Sequence, residues 1–242
     1  MKELKSNTIN WEQKCWRYFK LDRFIDALEN GYMYFSSASE FEDRFEGATL
    51  ITSDEIQNLI DETSSFYYIN NAFKELKRLT KINCWHKADY ENDLMWKIYS
   101  EDKKGVAITT TPEKMKIAFK PYKIKPEYAD EDLYIGNVKY VDLSLNHIKD
   151  TMLGIFYYKH IVFTSEKEIR LSISLRIAEE YGVIVPDKGI FVMVDYKLLI
   201  DEIILGPHIS DDDRERLITT INKLGYGAKI KNSCLNYNPL FI

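Results

Sequence analysis

The chain has 242 residues and a mass of 28.5 kDa, with 45% hydrophobic and 29% charged residues. That balance excludes a mostly disordered polypeptide. Lys and Arg total 33 against 38 Asp and Glu, a formal charge of −5 with a pI near 5.5. This argues against a broad basic face for duplex DNA while leaving room for a local basic cleft. Cys15, Cys84 and Cys234 are widely spaced and form no Cys-x-x-Cys pair. No secretory leader pattern opens the chain, and no run of about 18 apolar residues occurs. The expectation is a soluble, cytoplasmic protein with reduced thiols and no membrane association.

In chain order, the aromatic cluster Trp16-Arg17-Tyr18-Phe19-Lys20 comes first. Leu21, Phe24, Ile25 and Leu28 then fall at i, i+3, i+4 and i+7, the stripe of a short helix, with Gly31 placed to end it. Tyr32 to Ser36 reads as a strand. Ser53 is the expected N-cap of a long helical stretch through Ile56, Leu59 and Ile60, then Phe73, Leu76 and Leu79, with Phe66-Tyr67-Tyr68 as an interruption. A strand is expected over Ile82 to His86, one or two helical turns over Asp93 to Ser100, and a strand over Gly105 to Thr109. Thr111-Pro112 starts a helix that ends before Pro121. Residues 120–136 read as a loop, Val138 to Val141 as a strand, and about 143–160 as a helix.

From Ile169 to Leu175 apolar and polar residues alternate, the pattern of a half-buried strand. Phe191 to Val194 and Ile203 to Leu205 are further strands. Ser210 caps a helix bearing Leu217, Ile218, Ile221 and Leu224, stopped by Gly225, and Tyr226 to Leu235 closes with a strand. With no repeat and no composition break, the reading is one α+β domain over 1–242, with mixed or antiparallel sheets and several flanking helices.

No P-loop, Gly-x-Gly-x-x-Gly or Gly-x-Ser-x-Gly pattern is present. His86, His147, His160 and His208 lack metal-ligand spacing, so no metal is expected. Chemistry concentrates instead in three segments. In the stretch Thr164 to Ile173 and the residues after it, Ile169, Leu171, Ile173 and Leu175 face the core from one side of a strand. Glu166, Glu168 and Arg170 then share the other face, with neighbours about 7 Å apart. A guanidinium there would keep one carboxylate ionised while its like-charged neighbour is pushed up. The plainer reading of the same face is a surface ion pair worth under about 1 kcal/mol. In Ser36 to Gly47, three serines after an aromatic strand form either a sugar- or phosphate-binding loop or a capping box of Ser39 with Glu42. In Met95-Trp96-Lys97-Ile98-Tyr99, Trp96 and Tyr99 sit at i, i+3, as core or as a stacking platform.

Together these segments resemble a widespread bacterial family known as a domain of unknown function. Its pattern runs Phe-Ser-x-Pro-x-x-Phe-Asn-Asp-Pro-Phe-Glu, Cys-Phe-Ser, Met-Trp-x-x-Tyr, Gly-Val-x-Ile, Val-x-Tyr, and Lys-x-x-x-Trp-x-x-Glu-x-Glu-x-Arg. The matches are Tyr18-Phe19-Lys20, Phe35 to Glu46, Cys84-Trp85-His86, Met95 to Tyr99, Gly105 to Ile108, Val138 to Tyr140, and Lys159 to Arg170. The resemblance covers about residues 15–205, leaving 206–242 as a helix plus closing strand. Ala38 and Arg44 replace both prolines, Glu42 replaces the asparagine, and Phe163 stands where tryptophan is usual.

A second resemblance is to ADP-ribosyltransferases of the toxin type. It rests on Tyr18 and Lys20, Leu28-Glu29-Asn30-Gly31, Tyr34-Phe35-Ser36, and Glu166-Lys167-Glu168. It implies NAD as substrate, cleaved through an oxocarbenium-like state that a carboxylate stabilises. Glu168 would contact the ribose and align the nucleophile, Glu166 would orient or deprotonate the acceptor, and Arg170 would hold Glu168. Tyr18, Lys20, Tyr34, Ser36, Trp96 and Tyr99 would contact the cofactor, with Tyr34 or Tyr18 as the wall against nicotinamide. Arg17 is the nearest early cation for the adenosine ribose.

The implied role is a toxin or phage-defence effector acting on single-stranded nucleic acid or protein, with a neutralising partner protein. Two other readings stay open. One is a metal-dependent nuclease with Asp43, Glu46, Glu166 and Glu168 around Mg²⁺. The other is a non-enzymatic module whose 17 Tyr residues help line a groove for a ligand or partner.

Overall fold

A computed structural model describes residues 1–4, 8–52, 64–227 and 229–241. The strands are β1 (Lys2–Glu3), β2 (Cys15–Phe19), β3 (Tyr32–Ser37), β4 (Thr80–Lys87), β5 (Val106–Thr110), β6 (Leu133–Asn137), β7 (Lys139–Val141), β8 (Tyr158–His160), β9 (Glu168–Ser174), β10 (Ile190–Met193), β11 (Glu202–Leu205) and β12 (Lys229–Asn232). The helices are α1 (Leu21–Asn30), α2 (Ser64–Leu79), α3 (Asp93–Tyr99), α4 (Pro112–Ala118), α5 (Arg176–Glu180), α6 (Tyr196–Leu199) and α7 (Asp211–Leu224). This is the α+β class with a mixed sheet that the sequence implies. Among the described residues no helix is long and apolar enough to cross a membrane.

The chain forms two compact units, one from Met1–Ile9, Tyr34–Cys84 and Pro121–Phe191, the other from Asn10–Met33, Trp85–Lys120 and Val192–Ile242. Strands β3, β4 and β10 contribute residues to both.

In the first unit β1 runs parallel to β6, and β6 pairs antiparallel with β9 in the register Gly136↔Arg170 and Asn137↔Ile169. Strand β4 neighbours β9 on its other side. Ser36 and Ser37 of β3 pair with Ile82 and Lys81. Strands β7 and β8 form a separate parallel pair. Ala38, Ile82, Ile155 and Phe156 make a buried apolar cluster, joined by Phe41, Leu76 and Cys84. Buried Lys81 donates to the carbonyls of Arg78, Pro186 and Lys188, each at 2.7 Å, and ties the end of α2 to the turn before β10.

In the second unit β2 lies between β4 and β5, antiparallel to both, with Trp16 opposite His86 and Thr109. Strand β5 pairs antiparallel with β11, and β11 parallel with β12. Helix α1 buries Leu21, Phe24, Ile25 and Leu28 and ends at Gly31, left-handed at φ 66°, whose N–H reaches the Ala27 carbonyl. Helix α4 starts as its residues dictate: the Thr111 hydroxyl accepts from the Lys114 N–H and Pro112 needs no donor. A Cβ on Gly105 would lie 1.9 Å from the Phe19 carbonyl oxygen, so only glycine lets β5 begin so close to β2.

Several expectations are corrected. Residues 143–160 form no α-helix; they hold a 3₁₀ turn at Gly154–Tyr157 and then β8. Short polar side chains compete for the backbone there. The Asp142 carboxylate accepts from the Ser144 N–H at 2.9 Å, and the Thr151 hydroxyl from the Gly154 N–H at 3.0 Å. Phe66 to Tyr68 do not interrupt α2. The expected Ser53 cap and Ile56, Leu59 and Ile60 lie outside the described residues. The turn after β3 is closed by Ser37 and Glu40, not Ser39 and Glu42: the Glu40 carboxylate accepts from the Ser37 N–H at 2.9 Å. The closing strand shrinks to β12, followed by a 3₁₀ turn at Cys234–Asn236. Strand β9 is not half-buried: every residue from Glu168 to Ile173 is buried. The segment carrying Phe156 and Tyr157 supplies its polar partners, with the Tyr157 and Ser172 hydroxyls 2.6 Å apart.

Candidate functional site

The first unit buries a chain of charged side chains drawn from three parts of the sequence. Arg170, 1% exposed, lies on β9. Its Nε donates to Glu168 Oε2 at 2.6 Å, and its Nη1 and Nη2 grip both oxygens of Glu46 at 2.7 and 3.0 Å. Nη1 also donates to the Phe156 carbonyl at 2.6 Å. The Phe41 ring centroid lies 5.7 Å from the guanidinium carbon. Lys159, from β8, donates to Glu168 Oε1 at 2.9 Å and to Glu166 Oε2. Its ammonium sits 4.7 Å from the Phe163 ring centroid.

Local structure explains how these groups meet. Strand pairing with β6 orients Glu168 and Arg170, and the Glu168 N–H donates to the Tyr140 hydroxyl of β7 at 2.8 Å. Glu46 arrives through a turn in which Asp43 Oδ1 accepts from the Phe45 N–H at 2.9 Å and the Asp43 carbonyl from the Glu46 N–H at 3.1 Å. Gly47 follows at φ 72°, and a Cβ there would sit 2.7 Å from the Phe156 ring. A side chain at 47 would therefore push Glu46 away from Arg170. Glu166 is not on the strand; it ends a 3₁₀ turn, Ile161–Glu166.

Electrostatically, three carboxyl groups meet two cations. Burial works against ionising Glu168, but Arg170, a hydrogen bond from Glu166 and Lys159 together hold its carboxyl well below the usual range. Burial and the hydrogen-bonded Glu168 push Glu166 up to about 7, against the pull of Lys159. Lys159 stays charged despite burial because Glu168 and Glu166 face it. The Cys84 thiol, pushed up by burial and by Glu168, is a neutral neighbour of that carboxylate. The arrangement is a fixed anion, Glu168, beside a carboxyl poised to exchange a proton near neutral pH.

Of the residues singled out from sequence, Glu166, Glu168 and Arg170 thus come together. Tyr34 and Ser36 lie in the same unit, half-buried on β3. The Tyr34 hydroxyl sits 3.0 Å from the Glu40 carboxylate and accepts from the Gly189 N–H at 2.9 Å, and its ring leans on Phe191. Tyr18, Lys20, Trp96 and Tyr99 belong to the second unit.

Two of these four are buried. Trp96 is 0% exposed, with its Nε1–H on Glu91 at 2.8 Å. Tyr18 meets Trp96 edge to face at 4.9 Å, and its hydroxyl accepts from the Asn92 N–H at 2.9 Å. Both are enclosed in the cluster of Trp16, Met95, Ala107 and Ile204. Lys20 is exposed just before α1, and Tyr99 is 46% exposed although three residues from Trp96. Arg17 packs over Phe19 and Trp85, 5.4 and 5.8 Å from their centroids.

Sequence reasoning gave Lys159 no role and weighed Glu46 only as a metal ligand. The signal for Lys159 was its place at the head of the Lys-to-Arg pattern; for Glu46 no local signal links it to a residue 124 positions away. Both oxygens of Glu46 and of Glu168 face cations, and Glu166 shares Lys159. Among the described residues no group of three or more His, Cys, Asp or Glu is arranged to hold a metal ion.

No curated protein matches the chain. Among solved structures, DarT of Thermus sp. 2.9 in complex with NAD⁺ is similar at a TM-score of 0.39 and 7% identity, covering 96% of this chain and 100% of that one. Over residues 95–171, which include Met95-Trp96-Lys97-Ile98-Tyr99 and Glu166-Lys167-Glu168-Ile169-Arg170, the chain matches the model of a family described as a protein of unknown function, DUF2971.

Proposed function

We propose that the protein is an NAD-consuming transferase of the ADP-ribosyltransferase type, with the Glu166–Glu168 pair as its acid–base centre. The observation that carries this reading is the Glu166 carboxyl, 15% exposed, sharing Lys159 with a buried Glu168. In the reaction the ribose C1′–nicotinamide bond breaks with its electron pair leaving on nicotinamide. A bond forms from C1′ to an acceptor oxygen or nitrogen, and the acceptor proton passes to Glu166. Glu168 supplies fixed negative charge next to that carboxyl, and Arg170 with Glu46 keeps it in place. This changes the roles drawn from sequence. Glu166, the more exposed acid, touches substrate, and Glu168 positions it. Tyr34 is the aromatic residue of this unit assigned to nicotinamide, with Ser36 beside it on β3. A part in toxicity or phage defence, with a nucleic acid or protein target and a neutralising partner, belongs to the same proposal.

The test is calorimetry with NAD⁺ and with Mg²⁺, followed by incubation with adenylate-labelled NAD⁺ and total cell protein or RNA. Labelled acceptor is expected with the wild type. Glu166→Gln should cut transfer about 10²–10⁴-fold, while NAD⁺ still binds. Absence of both NAD⁺ binding and transfer overturns the reading. Mg²⁺ binding with nuclease activity lost in Asp43→Asn would put the metal nuclease in its place.

A further inference from the structure

Lys167 separates the two glutamates and has φ 42° and ψ 51°, in the left-handed region. Lysine has no intrinsic preference for that region, and a residue with a Cβ is held there only when its surroundings demand it. The side chain does not supply the reason. It is exposed and makes no hydrogen bond or ion pair among the described residues. The backbone does: the Lys167 N–H closes the 3₁₀ turn on the Thr164 carbonyl at 3.3 Å, and β9 begins at the next residue.

A strand continued through 167 would leave Glu166 parallel to Glu168 at the usual spacing of about 7 Å. The left-handed residue instead breaks the strand and sets Glu166 at the end of the turn, on Lys159 and beside Glu168.

We propose that the left-handed backbone of Lys167 is the device that positions Glu166 against Lys159 and Glu168, making Lys167 a positioning residue through its conformation and not its charge. The inference deepens the acid–base reading and rests on it for its catalytic meaning, while its geometry can be read without substrate. Among the groups facing Glu166 are Lys159 from β8 and Glu168 from β9, with Arg170 and Tyr140 behind Glu168. Burial and Glu168 raise the Glu166 carboxyl; Lys159 lowers it.

The experiment follows the Glu166 carboxyl by carbon-13 NMR across pH in the full chain, with the resonance assigned by its loss in Glu166→Gln. The wild type should titrate near 7. Lys167→Gly, which adopts the same backbone without strain, should keep that midpoint. Lys167→Val, which disfavours positive φ, should bring it toward the ordinary glutamate value of about 4.3. Should Lys167→Val fail to fold, Lys167→Ala replaces it, with a smaller shift in the same direction. An unchanged midpoint in a folded Lys167→Val protein overturns the proposal, as does a lost midpoint in Lys167→Gly, which would assign the effect to the ammonium. If titration behaves as expected and no label is transferred from NAD⁺, the positioning stands and the transferase reading falls.

Discussion

The aromatic cluster of the second unit and the charged cluster of the first are buried to the same degree by opposite means. Trp96 is 0% exposed and Arg170 1%. Enclosing Trp16, Tyr18, Met95 and Trp96 removes apolar surface from water, favourable by about 1.5–3 kcal/mol for each large side chain. Enclosing Arg170, Glu168, Glu46 and Lys159 costs several kcal/mol per ion, offset only by close hydrogen-bonded pairing. Both clusters carry motifs of the same matched segment, 95–171. A motif therefore marks what the fold reuses and does not distinguish core from chemistry. The energetic sign separates them: the apolar cluster stabilises by its own burial, whereas the buried charges depend on the pairing that surrounds them.

The widest separation between the clusters comes from removing the central residue of each. Arg170→Ala strands the buried Glu46, leaves Glu168 with Lys159 as its cation, and should cost about 3–5 kcal/mol at pH 7. Trp96→Ala leaves a cavity and should cost a similar 3–5 kcal/mol. The loss in Arg170→Ala should shrink in acid as the carboxylates that lost the guanidinium protonate, and the loss in Trp96→Ala should stay nearly constant. Urea unfolding at pH 7 and pH 4.5 reads both. Parallel pH responses would erase the distinction drawn here.

A smaller effect isolates Glu166. Its carboxyl is raised on folding to about 7, so its favourable contribution is complete below about pH 4.3 and is lost as the pH climbs through 7. Glu168 is held low, so its contribution is present above about pH 4.3 and is lost as the pH falls toward its folded value. Glu166→Gln should therefore flatten the fall in stability between about pH 4.3 and 7, a change on the order of 2 kcal/mol. Chemical denaturation across pH measures it, and an identical alkaline slope in the variant would contradict the assignment.

The smallest expected change is at Tyr34, half-buried on β3, whose hydroxyl joins Glu40 and Gly189. Tyr34→Phe should cost about 1 kcal/mol and leave the Glu166 titration unmoved. A shift in that titration would tie the β3 face to the charged cluster energetically.

Much of the fold could be read locally because its causes are local. Helix α1 follows from one apolar stripe and a glycine that ends it. Helix α4 follows from Thr111 and Pro112, and α7 from the Ser210 cap and Gly225 at φ 65°. The expected helix over 143–160 failed where polar side chains bonded their own backbone, a competition that apolar periodicity does not register. At the candidate site, the pairing of Glu166, Glu168 and Arg170 was visible in their spacing, but the half-buried strand face assigned to them was not what formed. Strand β9 is buried along its length, and Glu166 stands off it on a turn.

What the residues dictated alone was the α+β class, the boundaries of α1, α4 and α7 set by caps and glycines, and the presence of two acids and an arginine two positions apart. The partners that give those groups their chemistry came from folding. Glu46 reaches Arg170 across 124 residues and Lys159 reaches Glu168 across 9, the second through a strand not expected there. The physical reason is range. Caps, turns and periodicity act within a few bonds of chain, whereas burial and Coulombic pairing depend on which segments the sheet brings alongside, and those set whether a carboxyl is a surface ornament or a proton carrier.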